Sequence, residues 1–133
     1  MTRSAFIIFV IAIILCGAAA AAYRGAAVAR RTTVEAEALT GGDLETGRAA
    51  VKTYGCDACH TIPGVVDARG LVGPPLTQIA NRIYIAGVLT NTPDNLIEWI
   101  QNPPGVDPRT AMPNLGVDGA AARDIAAYLY TLR

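Results

Sequence analysis

From Ala5 to Tyr23 the chain runs through AFIIFVIAIILCGAAAAAY without one charged side chain. At the helical rise these residues reach about 28 Å, close to the thickness of a bilayer's hydrocarbon layer. A water-facing helix does not tolerate such a stretch, so any globular fold must come from the rest. Once the first 40 or so residues are set aside, about 93 remain, enough for one small core and too few for two. Residues 1–23 therefore read as a transmembrane anchor. They also satisfy a cleavable export signal, with Ala5 to Leu15 as its apolar core and Ala18-Ala19-Ala20 as a small-residue cleavage site. Both readings stay open. Cys16 follows Leu15, where a lipid-attachment signal wants a small residue, so it reads as an apolar helix position.

Gly17, Ala21 and Gly25 recur every four residues, as do Ala18, Ala22 and Ala26. Such stripes let two membrane helices approach closely, although alanine is simply abundant here. Residues 24–42 form an Ala-rich stalk without proline, which continues the helix until Thr40-Gly41-Gly42 breaks it. Arg24, Arg30 and Arg31 after the run outweigh Arg3 before it, which by charge alone favours keeping the C-terminal part inside. The motif described below argues for the opposite, exported orientation.

Residues 43–133 read as an all-α unit. Asp43 caps a helix carrying Leu44, Gly47, Val51 and Tyr54 at helical spacing, and Gly55 ends it. Residues 62–75 are rich in proline and glycine and form loop. A short helix is expected over Leu76 to Tyr84. Thr92-Pro93 with Asp94 starts another helix, which carries Leu96, Ile97 and Ile100 inward and stops at Asn102-Pro103-Pro104. Asp118 caps the last, with Ile125, Tyr128, Leu129 and Leu132 on one face. A unit this small with loops this long lacks apolar area to offset its ordering entropy. Something bulky and apolar is expected to complete the core.

Cys56-Asp57-Ala58-Cys59-His60 is a C-x-x-C-H pentad. Two thiols three positions apart can each form a thioether to a haem vinyl group, and the adjoining imidazole then binds the iron. A redox dithiol would want a βαβ neighbourhood, which the sequence lacks. A tetrahedral zinc site would need more ligands, and His60 is the single histidine. With that histidine used, the second axial ligand comes from methionine, lysine or nothing. Of the two methionines, Met1 begins the apolar segment, which leaves Met112, in a loop stiffened by Pro113. The competing reading is a core methionine and an open iron site. His/Met ligation closes both faces of the iron and suits electron transfer rather than oxygen or peroxide chemistry. The expected cofactor is thus one covalent haem c, held by Cys56 and Cys59 and ligated by His60 and Met112.

With these residues in view, 43–133 resembles a class I cytochrome c domain. The likeness covers Gly47 and Val51, the C-x-x-C-H pentad, Gly73-Pro74-Pro75-Leu76, Met112-Pro113, and Ile125 to Leu129. It implies a class I cytochrome c fold in which Gly47 and Tyr128 meet where the first and last helices cross. It further implies that Pro74 offers its carbonyl to the imidazole of His60. The segment Asn81-Arg82, Gly87 to Leu96 and Trp99-Ile100 is similar to the cytochrome domain fused to subunit II of some bacterial haem–copper oxidases. That likeness implies contacts from Arg82, Trp99 and Tyr84 to the haem propionates. The chain departs from that subunit in lacking a copper-binding sequence and a second span.

The chain has 11 basic and 11 acidic side chains, so it presents no basic field for nucleic acid. From Asp43 onward seven basic groups face nine acidic ones, a net charge of −2, and Lys52 is the only lysine. Steering by a positive patch is unavailable; docking by an apolar patch or through a permanent tether is expected instead. The resulting expectation is an electron carrier rather than an enzyme, single-pass in the bacterial inner membrane with its haem domain on the periplasmic side. Its partners would be a quinol-oxidising complex as donor and a terminal oxidase or other acceptor, with no small-molecule substrate. The alternative is a permanent cytochrome subunit of a respiratory or photosynthetic complex. A haem peroxidase or gas sensor would need an open or displaceable sixth site.

Overall fold

The computed structural model describes residues 2–133; Met1, the start of the apolar segment, lies outside them. Contacts divide the chain into two units, one ending at Thr32 and the other Thr33–Arg133. Helix α1, Arg3–Thr40, runs from the first into the second. Its N-terminal part is long and apolar enough to cross a membrane, and Phe6, Ile8, Ile14 and Leu15 are all exposed.

The second unit is mostly helical. Its elements are the end of α1, α2 (Leu44–Thr53), β1 (Tyr84–Ile85), β2 (Leu89–Thr90), α3 (Pro93–Gln101), α4 (Pro103–Val106) and α5 (Gly119–Tyr130). Two 3-10 turns, Cys56–Ala58 and Ile79–Asn81, stand in the loops. The caps form as their sequences require. Asp43 accepts from Thr46 N at 2.7 Å, Thr92 from Asn95 N at 3.3 Å, and Asp118 from Ala120 N and Ala121 N at 2.9 and 2.8 Å. Each satisfies backbone donors that the first helical turn leaves without partners.

α2 packs chiefly on α5, and α3 packs on α5 as well. A side chain at Gly47 would collide with the backbone of Asp124 and Ile125, and one at Gly42 with that of Arg123 and Asp124. Two glycines therefore let the start of α2 lie directly on α5. The nearest neighbours of Gly47 are backbone atoms of α5 one turn before Tyr128. Tyr128 sends its hydroxyl to the carbonyl of Pro63 and secures the loop after the pentad. The core gathers Val51, Ile62, Leu96, Ile100, Ile125 and Leu129, with Trp99 buried among them.

Three expectations change. Residues 33–40 are no free stalk: they belong to the second unit, with Ala36 and Thr40 buried, Glu37 Oε1 accepting from Leu44 N at 3.1 Å, and Glu35 paired with Arg133 at 2.8 Å. The helix expected over Leu76 to Tyr84 is replaced by the Ile79–Asn81 turn and the start of a hairpin. Gln78 takes a left-handed φ of +55° there, which stops helix growth. The unit is consequently not purely α. β1 and β2 pair antiparallel, Tyr84 opposite Thr90 and Ile85 opposite Leu89. Ala86 and Gly87 both carry positive φ, as a tight hairpin turn demands, and Val88 N closes it onto Ile85 O at 3.0 Å.

Candidate functional site

A cavity of about 540 Å³ opens in the second unit, and its wall is mainly apolar. That volume lies within the roughly 300–1,000 Å³ typical of sites that enclose an organic ligand. Cys56, Cys59, His60, Pro74, Arg82, Trp99 and Met112 all line it, so the fold brings together every residue singled out in the sequence, and Tyr84 with them. Val51, Leu96, Ile100, Ile125 and Leu129 are core side chains and cavity wall at once.

The pentad follows directly from the end of α2. Gly55, at φ +71°, turns the chain out of the helix, and the 3-10 turn Cys56–Ala58 follows. Cys59 N and His60 N both donate to Cys56 O, at 3.3 and 3.0 Å, which coils the pentad into one tight turn. Both cysteines are half-buried and neither forms a disulfide. Burial pushes the Cys56 thiol above its ordinary value, with smaller contributions from Asp57 and Cys59. A redox-active thiol is arranged to have the opposite shift. Among the described residues no three His, Cys, Asp or Glu side chains converge as a metal cluster.

The 73–76 segment is sewn to the pentad. Gly73 N donates to Cys59 O at 2.8 Å and Leu76 N to Thr61 O at 2.8 Å. His60 Nδ1 lies 2.7 Å from Pro74 O. A carbonyl only accepts, so Nδ1 carries the proton and Nε2 keeps its lone pair for a metal. The ring rests against Gly73, where a Cβ would come 2.6 Å from Nδ1 and 2.8 Å from Nε2. Gly73 is therefore a cradle for the imidazole that no other residue can supply.

Met112 enters the wall from the loop between α4 and α5. Its backbone N–H donates to Thr110 Oγ1 at 3.2 Å, a local turn that fixes the backbone carrying the thioether. Thr110 was no candidate site residue in the sequence, although a threonine two residues before Met112 was the available signal. Arg82 is half-buried, and its Nη2 donates to the carbonyls of Pro75 and, at 3.2 Å, Thr77. Trp99 is 8% exposed and combines core packing with a place in the cavity wall.

The residues present fit a covalent haem: two free thiols on one turn, an imidazole with its tautomer fixed, and a thioether, all in one apolar cavity. No family model matches the chain, and no solved structure matches it. Cytochrome c oxidase subunit 2 of Alkalihalophilus pseudofirmus is 34% identical over 67 residues, half of this chain. The aligned region spans 19% of that protein. The chain is thus a distant and partial relative of an oxidase subunit 2.

Proposed function

We propose that the protein is a membrane-tethered mono-haem c-type cytochrome that transfers single electrons in a respiratory or related chain. The observation that carries this reading is the convergence of Cys56, Cys59, His60 and Met112 on one apolar cavity, with His60 Nδ1 held by Pro74 O. A bound haem would supply a reversible one-electron iron couple. Cys56 and Cys59 would anchor it covalently, His60 would present Nε2 from a ring braced by Gly73 and Pro74, and Met112 would offer sulfur. Trp99 and the apolar wall would exclude water, and Arg82 would meet the propionates. No side chain here is asked to move a proton or attack a substrate, which is why the reading is a carrier and not an enzyme. The apolar N-terminal helix and the partial kinship with an oxidase subunit support membrane attachment; in this proposal the haem unit would lie on the outer, periplasmic side.

With a single lysine available, docking falls to exposed apolar residues. Leu71, Val72, Ile83 and Tyr84 are all more than half exposed, and Val72 and Tyr84 also line the cavity. A fixed subunit of a larger complex is favoured by the single lysine, since a tethered protein needs no long-range steering. Stoichiometric co-elution with a complex in mild detergent selects the subunit; elution alone selects the shuttle.

Intact mass of the matured protein tests the haem, because a covalent group adds its mass to the chain. The oxidised protein is expected to be low-spin with a methionine–iron charge-transfer band. Met112→Leu should abolish that band and lower the midpoint potential. A high-spin parent that responds to CO at neutral pH refutes His/Met ligation.

A further inference from the structure

Asn91 stands between β2 and the cap of α3, and its side chain is engaged at both ends. Nδ2 donates to Ile79 O at 2.8 Å and to Arg82 O at 2.9 Å, while Oδ1 accepts the Tyr130 hydroxyl at 2.9 Å. Its backbone N–H donates to Ile83 O at 2.9 Å. Both amide hydrogens are thus directed into the turn that carries Arg82, and the amide's orientation is fixed from α5. Arg82 in turn clasps the Pro75 and Thr77 carbonyls, one and three residues beyond the Pro74 carbonyl that holds His60. A hydrogen-bonded line runs from Tyr130 through Asn91 and Arg82 to the segment that orients the imidazole.

We propose that Asn91 is a positioning residue of the haem site, holding the Arg82 guanidinium as a fixed positive charge in the cavity wall. The inference rests on the haem reading above. An arginine on an unpinned loop would spread its charge over many rotamers in water, where salt screens it. With its backbone carbonyl tied to Asn91 and its guanidinium tied to two carbonyls, the charge stays beside the ligand. A cation held within about 4–6 Å of a carboxyl lowers its pKa by roughly 1–3 units. The residues lining the cavity include no Asp or Glu, so the carboxyl concerned would be one carried by the bound haem. Loss of that hold should therefore raise its proton affinity about tenfold or more.

The test uses the haem-loaded full chain in detergent, with midpoint potential measured from acid to alkaline pH. In Asn91→Leu, which keeps the size and removes both donors, the inflection should move to higher pH, and Arg82→Gln should move it the same way. The double variant should move no further than Arg82→Gln alone, because the two act along one path. Tyr130→Phe releases the other end of the amide; it should shift the profile the same way by less, and it decides the matter if Asn91→Leu does not fold. Lower thermal stability with the parent's pH profile in these variants overturns the inference, as does a profile indifferent to Arg82→Gln. A parent without covalent haem refutes the haem reading and this inference together; a haem-bearing parent with unmoved variants refutes only the role of Asn91.

Discussion

Gly47→Ala sets two physical effects against each other. Alanine is the better helix former by about 1 kcal/mol in a helix interior. Its methyl, however, would overlap the Asp124 carbonyl and lie 2.9 Å from Ile125 N, where ordinary contact begins at 3.4 Å. Even at that loosest contact α2 must retreat by about 0.5 Å, and further at Asp124. The obstacle is helix backbone, which cannot rotate away as a side chain does. Overpacking of a well-filled core costs about 1–3 kcal/mol, and a backbone collision belongs at or above the top of that range. Subtracting the propensity gain leaves a loss of about 2 kcal/mol or more, a large part of the roughly 5–15 kcal/mol that holds a domain folded. For a unit of this size that corresponds to a fall in thermal midpoint of about 8–16 °C. The assay is thermal unfolding followed by far-UV circular dichroism in detergent. Gly25→Ala, on a helix position with nothing within 4 Å, is the matched control: it keeps the propensity gain without the collision and should not lower the transition. A Gly47→Ala midpoint level with the parent's would refute the claim that direct backbone contact sets the α2–α5 crossing.

Two further outcomes follow from the site and the caps. Gly73→Ala should push the His60 ring off its seat and, in the matured protein, weaken or lose the low-spin spectrum while leaving far-UV dichroism near the parent's; an unchanged visible spectrum counts against the cradle. Asp43 is held below its ordinary value of 3.8, first by the side-chain hydrogen bond with Thr46 and then by the Thr46 backbone donor. Its folded pKa being the lower one, its charged form contributes stability above the ordinary carboxylate range, and that contribution is lost as pH falls through the depressed value. Asp43→Asn keeps the cap and removes the titration, so the stability lost on going from pH 7 to strong acid should be smaller in this variant, as read by denaturant midpoints.

The helices that begin with strong local chemistry were legible in the sequence. Asp43, Thr92-Pro93 and Asp118 each fix a start within the chain itself, and α2, α3 and α5 begin where these caps say. The pentad and the lone remaining methionine were equally legible, because counting donors needs no three-dimensional information. What escaped depended on partners distant in the chain. The hairpin at Tyr84–Thr90 rests on Ala86 accepting a positive φ, which alanine propensity does not announce. Residues 33–40 carry a composition as helical as the stalk before them, and only the packing of Ala36 and Thr40 assigns them to the globular unit. Asn91 reads locally as a polar loop residue. Its importance appears once Ile79, Arg82 and Tyr130, from three separate segments, surround one carboxamide.

The distribution of packing explains why the cavity and the fold are one problem. Where α2 meets α5 the chain is closed down to backbone, with glycines in place of side chains. On the other side Val51, Leu96, Ile100, Ile125 and Leu129 face the cavity as well as the core. Apolar side chains facing a space of about 540 Å³ lose the dispersion contacts that a filled interior provides, so the unit gives up stability wherever that space goes unfilled. The proposed haem, a rigid apolar plate bonded to Cys56 and Cys59, would restore those contacts without the entropy cost of capturing a free ligand each time. Under the proposed function, covalent attachment and a small, loop-rich core would be two aspects of the same physical solution. On that reading the proline- and glycine-bearing loops would be tolerable because a cofactor, rather than more polypeptide, would supply the missing interior.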